Sequence, residues 1–135
     1  MNEERIETAA QAAALFRTAL PQGQTEERVL VLPLDARGKV LHEPILVSAG
    51  HESGTATIDA GLVFREALKA GAEEIIVAHN HPSGNLAPSE ADIAATMELR
   101  DLARRLNVNF LDHLIIGTPE STGSADFISL AEMDV

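Results

Sequence analysis

The sequence predicts a single α/β domain, and three observations carry that expectation. Short β-branched runs, such as Val29-Leu30-Val31-Leu32 and Glu74-Ile75-Ile76-Val77-Ala78, have the length and composition of buried strands. Between them lie longer stretches whose apolar residues recur at the amphipathic-helix period. The chain has 135 residues, 45% of them hydrophobic, with glycines and prolines as regular punctuation, which suits one packed core rather than a disordered chain.

Taken in order, residues 3–19 read as an Ala-rich amphipathic helix and Pro21–Thr25 as a linker. Residues 28–35 form a strand, Ala36-Arg37-Gly38-Lys39 a hairpin turn, and residues 40–48 the partner strand, bent near Pro44. His51–Thr55 is a loop. Residues 59–70 form a helix ended by Gly71, a good residue just past a helix terminus. A strand follows at 74–78. The longest helix runs over 89–106, with Ser89 as its N-cap and a stop near Asn107. Strand 108–116, a loop at Gly117–Ser124 and a short strand at 127–130 complete the chain. Residues 1–22 are therefore an N-terminal helix and linker, and 23–135 the main domain. There are no internal repeats and no low-complexity tracts.

Composition excludes several function classes. Cysteine is absent, so there is neither a disulfide framework nor a thiolate metal site. The net charge is −11 with only ten Lys and Arg, which weighs against nucleic acid as a partner. The one basic cluster, Arg100, Arg104 and Arg105, is interrupted by Asp101 and reads as a solvated helix face. Without Trp or Tyr, and with four Phe, stacking platforms for single strands are not expected. No run approaches the length of a membrane span and no secretory leader is visible, so the expected location is cytoplasmic. The first helix carries Ala9, Ala10, Ala13, Leu15 and Phe16, more apolar surface than one core-facing stripe requires. A homodimer through that helix is an expectation, with docking on the sheet as the alternative.

The most informative stretch is His79-Asn80-His81-Pro82-Ser83-Gly84-Asn85-Leu86-Ala87-Pro88-Ser89-Glu90-Ala91-Asp92. In an extended chain residues i and i+2 point to one side, so His79 and His81 can aim both imidazoles into one site at the end of the preceding strand. Pro82 to Asn85 break the strand. Asp92 falls in the first turn of the following helix, three residues after Ser89 and on the same face. Two imidazoles and a carboxylate form a three-ligand set that leaves one tetrahedral position open, which suits zinc; iron, manganese or cobalt would also be accepted. Taken singly, each residue has a structural explanation: Ser89 as a cap, Asp92 as a capping-box acid at the positive end of the helix dipole, and His-x-His as an exposed turn. The combination across strand, turn and helix is what points to a metal-dependent hydrolase.

This pattern, His-x-His, seven residues, Ser, two residues and Asp, is the signature of the JAMM (JAB, MPN+) zinc metalloproteases. Ala78–Gly84, Pro88–Asp92 and Leu111-Asp-His-Leu-Ile-Ile-Gly117 together resemble the JAB domain of the bacterial RadC family over roughly residues 25–130. The resemblance implies a JAMM-type (cytidine-deaminase-like) α/β fold, with a curved mixed sheet flanked by helices and one zinc ion. It further implies cleavage of a peptide or isopeptide bond in a protein or peptide substrate. His79, His81 and Asp92 would hold zinc, a glutamate opening an upstream strand would act as general base, and Ser89 would donate to the developing oxyanion. Glu27 is the choice for that glutamate; Glu26 would face the opposite side of an extended chain, and Glu43 in the second strand is the other alternative. Asn80, Ser83 and Gly84 are expected to shape the loop. The pair Asp112-His113 is shared with RadC-like sequences. A local structural hydrogen bond is the favoured reading, and orientation of a ligand histidine the alternative. His42 and His51 are taken as solvent-facing.

The chain departs from the RadC pattern in places. No stretch matches the helix-hairpin-helix-like region usual in that family, and Thr57-Ile58-Asp59-Ala60-Gly61 stands where a Pro-Arg pair is usual. The inserted loops with which related enzymes grip ubiquitin chains have no counterpart, so that substrate is not implied. A second class of function is therefore carried alongside the enzyme: a RadC-type zinc-binding interaction module, associated with DNA repair by family label and lacking peptidase activity.

Overall fold

Every residue of the seven-residue strand β1 (Arg28–Leu34) except the first is buried, which a strand achieves only when both of its faces are covered. The computed structural model describes residues 4–20, 26–49, 58–117 and 127–133. The expected linker 21–25, His51 with its loop, and all of the Gly117–Ser124 loop except Gly117 lie outside these residues. The other described elements are helix α1 (Ala9–Thr18), β2 (Ile45–Ala49), α2 (Ala60–Lys69), β3 (Glu74–Asn80), α3 (Glu90–Leu106), β4 (Asn109–Ile116) and β5 (Phe127–Ser129). They form one small α/β domain with a mixed sheet of order β2-β1-β3-β4-β5. β1 is antiparallel to β2 and β3, β3 is parallel to β4, and β5 closes antiparallel on β4. The one parallel pair needs a long crossover, and α3 supplies it.

Two apolar layers cover the sheet. On one face Val29, Val31, Ile75 and Val77 pack with Val63, Phe64 and Ala67 of α2 and Leu99 and Ala103 of α3. On the other, Leu30, Leu32, Leu34, Ile76, Ala78, Leu114 and Ile116 pack with Ala12, Ala13 and Phe16 of α1. The split follows the two-residue period of the strands. Ala9 and Leu15 pack partly against the second layer, so the apolar stripe of α1 docks on the sheet.

The expected elements are present, with differences at three ends. α1 begins six residues later than the helical pattern suggested. Thr8 accepts from the Gln11 N–H, and the Gln11 side chain returns to the Thr8 N–H, a reciprocal cap that fixes the start there. Residues before it are extended and bridge to the hairpin: Ile6 N–H donates to Gly38 O at 2.8 Å and Val40 N–H to Glu4 O at 2.9 Å. Gly38 has φ of 80°, and a Cβ there would sit 3.0 Å from the Ile6 carbonyl oxygen, so the close approach of the segment needs glycine. Asp35 closes the turn by accepting from the N–H groups of Lys39 and Arg37, bonds that hold its carboxyl below the usual range.

The partner strand is interrupted as well as bent. Leu34↔Val40 is an isolated bridge, and the β2 ladder proper runs from Ile45. Pro33 explains why the gap is tolerated. Its carbonyl accepts from Leu41 N–H, so its missing N–H also lies on the β2 side, and the ladder to β3 loses no donor. Third, β3 runs two residues past the expected end, through His79 and Asn80. α3 begins and ends as expected, capped by Ser89 and stopped by Asn107 in the left-handed conformation at φ 60°.

Candidate metal centre

The site forms where β3 ends and α3 begins, beside the first residue of β1. In β3 the face that carries Ile75 and Val77 carries His79 next, so the histidine continues the layer packed against α2 and α3 and is 2% exposed. His81 lies two residues on, just past the strand, where its N–H still donates to the Ile116 carbonyl at 2.9 Å. The chain then turns: Gly84 N–H donates to the His81 carbonyl, with Gly84 at φ 84°. The turn brings the Asn85 carbonyl back to accept from His81 Nδ1 at 2.7 Å.

The three expected ligands come together. His79 Nε2 and His81 Nε2 stand 3.0 Å apart. Asp92 Oδ1 lies 3.1 Å from His79 Nε2, and Oδ2 lies 3.3 Å from His81 Nε2. Asp92 is placed by the start of α3, where its Oδ2 accepts from Ser89 N–H at 2.8 Å while its own N–H donates to Ser89 Oγ at 3.1 Å. The capping explanation and the ligand explanation of these two residues are thus both satisfied by one conformation. Burial alone would raise the Asp92 pKa; the bonds to His79 and His81 outweigh it and hold the carboxyl well below its ordinary range. The same contact, led by the Asp92 bond, raises the pKa of His81 against the effect of burial.

Glu27 is the glutamate that joins them. Glu27, His79 and His81 each offer a ligand atom, all within 4.8 Å of one another. Two features position it. The β1–β3 register pairs Val29 with His79, and continued past the strand it sets Glu27 opposite His81. Asn80, buried between the histidines, holds the backbone on both sides of Glu27: its Oδ1 accepts from Arg28 N–H at 2.7 Å and its Nδ2 donates to the Glu26 carbonyl at 3.0 Å. The side-chain amide thereby extends the β1–β3 ladder one step beyond the last backbone pair. Glu26 contributes its carbonyl to this clamp, and Glu43 is exposed in the bend before β2. His42 is exposed too, as expected, and lies 2.8 Å from the Glu43 carbonyl.

The donor set fits a divalent cation. His81 Nδ1 can only donate to a carbonyl, so a neutral His81 presents a bare Nε2. Two ring nitrogens and a carboxylate facing one another at 3.0–3.3 Å need positive charge among them, supplied by a proton or by a metal. Nitrogen and oxygen donors of this kind suit zinc and its neighbours in the transition series.

Comparison with known proteins shows the family. Residues 6–135 match the family model of the RadC-like JAB domain. The chain belongs to this family. The chain is 37% identical over 131 residues to a UPF0758 protein of Thermosynechococcus vestitus, covering 95% of this chain and 48% of that one. It is 38% identical over 120 residues to a UPF0758 protein of a Cyanothece strain, covering 87% of this chain and 45% of the relative. A UPF0758 protein of Clostridium perfringens is 36% identical over 110 residues, covering 82% and 45%. The chain therefore spans about half the length of the curated relatives it matches.

The site also contains partners that the sequence left open or did not single out. Asp112 and His113 divide the two readings between them. Asp112 is structural: it accepts from His113 N–H, Ala131 N–H and Ser129 Oγ, tying β4 to the end of β5 and the chain just after it. His113 instead reaches the site, with its Nε2 2.8 Å from His79 Nδ1. On its other side Nδ1 lies 2.6 Å from Thr96 Oγ1, and the Thr96 hydroxyl donates to the Asp92 main-chain carbonyl at 2.9 Å. Burial, with His79 and His81 adding to it and Asp92 opposing, pushes the His113 pKa down to about 3, so the ring is neutral. The signal for Thr96 was its place one helical turn after Asp92. The signal for His113 is the pairing of Val77 with His113, which a sequence does not display.

Proposed function

We propose that the chain is a zinc-dependent metallohydrolase that cleaves a peptide or isopeptide bond in a protein or peptide substrate. The observation that carries the reading is the convergence of His79 Nε2, His81 Nε2 and the Asp92 carboxylate on one point, with Glu27 beside them. His79, His81 and Asp92 would hold the ion. A zinc ion there supplies Lewis acidity toward a carbonyl oxygen and lowers the pKa of water at the site. Glu27, held at the edge of the cluster by Asn80, accepts a proton from the attacking water and returns it to the leaving nitrogen as the bond breaks. Ser89, exposed at the start of α3, donates through its hydroxyl to the oxygen on which negative charge develops, and the positive end of the α3 dipole acts in the same sense.

Metal content by inductively coupled plasma mass spectrometry is the first test, on the wild type and on His79→Ala/His81→Ala. About one zinc per chain, lost in the double variant, is the expected result and justifies a peptidase screen in which Glu27→Gln abolishes cleavage. No metal in the wild type after zinc is added back overturns the reading. Zinc that binds without any cleavage, regardless of Glu27→Gln, leaves the interaction module instead.

A further inference from the structure

Two buried polar side chains beside the proposed metal centre, His113 and Thr96, are each 1% exposed and have no part in the chemistry described so far. Neither is a ligand, and both lie in a line that begins at His79. We infer that Thr96 and His113 are positioning residues that set the tautomer of His79, so that its Nε2 lone pair, rather than an N–H, faces the metal point. The inference rests on the proposed metal reading and follows from hydrogen-bond direction in the neutral His113 ring, which is 1% exposed and has its two nitrogens on His79 and Thr96. The Asp92 carbonyl can only accept, so the single hydroxyl hydrogen of Thr96 is committed to it. Thr96 Oγ1 can then only accept from His113 Nδ1, which places the proton of the His113 ring on Nδ1. His113 Nε2 is consequently a bare acceptor, and His79 Nδ1 must donate to it. What remains on His79 is a bare Nε2, 3.1 Å from Asp92 Oδ1.

The relay therefore begins at the backbone of one expected ligand, Asp92, and ends at the ring of another, His79. It joins α3, β4 and β3 in a closed ring of four residues. The other histidine is set more simply, by the Asn85 carbonyl. Metal-bound imidazoles are commonly oriented through their second nitrogen by a carboxylate or a carbonyl. Here that role falls to a neutral imidazole, whose direction is in turn fixed by a hydroxyl.

The test uses the full chain. Nitrogen-15 imidazole spectra of the metal-free wild type near pH 7.5 are expected to place the protons of both His79 and His113 on Nδ1. A bare Nδ1 on either ring overturns the relay, whatever the metal does. Zinc affinity is then measured by competition with a chromophoric chelator. Thr96→Val keeps the shape but removes both the hydroxyl donor and the acceptor, freeing His113 to reverse. Its zinc affinity is expected to fall about 10- to 100-fold, with Thr96→Ser restoring most of it. A folded Thr96→Val that binds zinc as tightly as the wild type overturns the relay and leaves the metal reading standing. A wild type that binds no zinc overturns the metal reading and the positioning role with it, even where the spectra show the assigned tautomers. Because the spectra need no variant, the proposal stays testable if Thr96→Val does not fold.

Discussion

The α1 side of the sheet and the α2/α3 side are built on the same strands, yet they depend on different physics. Against α1, the buried side chains of Leu30, Leu32, Ile76, Ala78, Leu114 and Ile116 meet Ala12, Ala13 and Phe16, and what holds them is volume. Against α2 and α3 the sheet begins in the same way, with Val31, Ile75 and Val77, but toward the end of β3 the contact changes to His79 and His113 of the sheet against Asp92 and Thr96 of α3, all buried. Those polar groups are tolerated because each has a specific partner. The first region is non-directional and absorbs conservative swaps. The second fails when one donor or acceptor is removed, although little volume changes. Stability is expected to track the first and metal affinity the second.

The largest effect that sharpens this division is Phe16→Ala. Emptying a fully buried aromatic site should cost about 3–5 kcal/mol in denaturant unfolding, while the folded fraction still takes up one zinc per chain. Loss of zinc from the folded variant would show that the two faces are not separable. Acid comes next. His113 is held neutral in the fold with its pKa near 3, whereas the unfolded chain protonates it near 6.5. The unfolded state thus binds more protons between those values, and the stability of the metal-free protein should fall as pH drops through that window. His113→Gln should flatten the slope. Asp92, its carboxyl also held below the ordinary range, acts in the same sense but at lower pH: its stabilisation is present above the ordinary carboxylate value near 3.8 and is lost only below it. An unchanged slope in His113→Gln would assign the acid response to other groups.

Asn80→Ala should follow in size. It leaves Arg28 N–H and the Glu26 carbonyl without their clamp, at about 1–3 kcal/mol, and releases Glu27 while both histidines stay in place. Zinc stoichiometry should remain one, and any cleavage activity should fall by more than the stability change accounts for. Ser89→Ala is the smallest, at about 1 kcal/mol, because it removes one helix cap. A loss of several kcal/mol would mean that the capping residue also organises the site.

The fold was legible where local chemistry decides it. β-branched runs, a hairpin turn at Ala36–Lys39 and the caps at Ser89 and Asn107 gave the order of elements, and His79, His81 and Asp92 were visible because strand, turn and helix are adjacent in the chain. Element ends were less visible. The reciprocal cap of Thr8 and Gln11 overrode a helical pattern that continued upstream of it. Partners far apart in sequence were visible only as open alternatives, such as a ligand-orienting role within the Asp112-His113 pair, and their contacts were not. Asn80 grips residues more than fifty positions earlier, and His113 reaches His79 only through the parallel β3–β4 pairing. A sequence records which side chains alternate on a strand, but not which strand lies beside it.

The closed ring of His79, His113, Thr96 and Asp92 has a consequence for how folding and ion loading are coupled. Its bonds are made between protein groups, so they form without an ion. In small zinc domains whose ligands converge only around the metal, a chelator unfolds the chain. Here chelation should leave a folded, receptive protein and lower its unfolding temperature only by the mass-action benefit of a bound ligand. On the proposed metal reading, loading is a late, reversible event on a finished scaffold, and the ion can be exchanged without unmaking the fold that receives it.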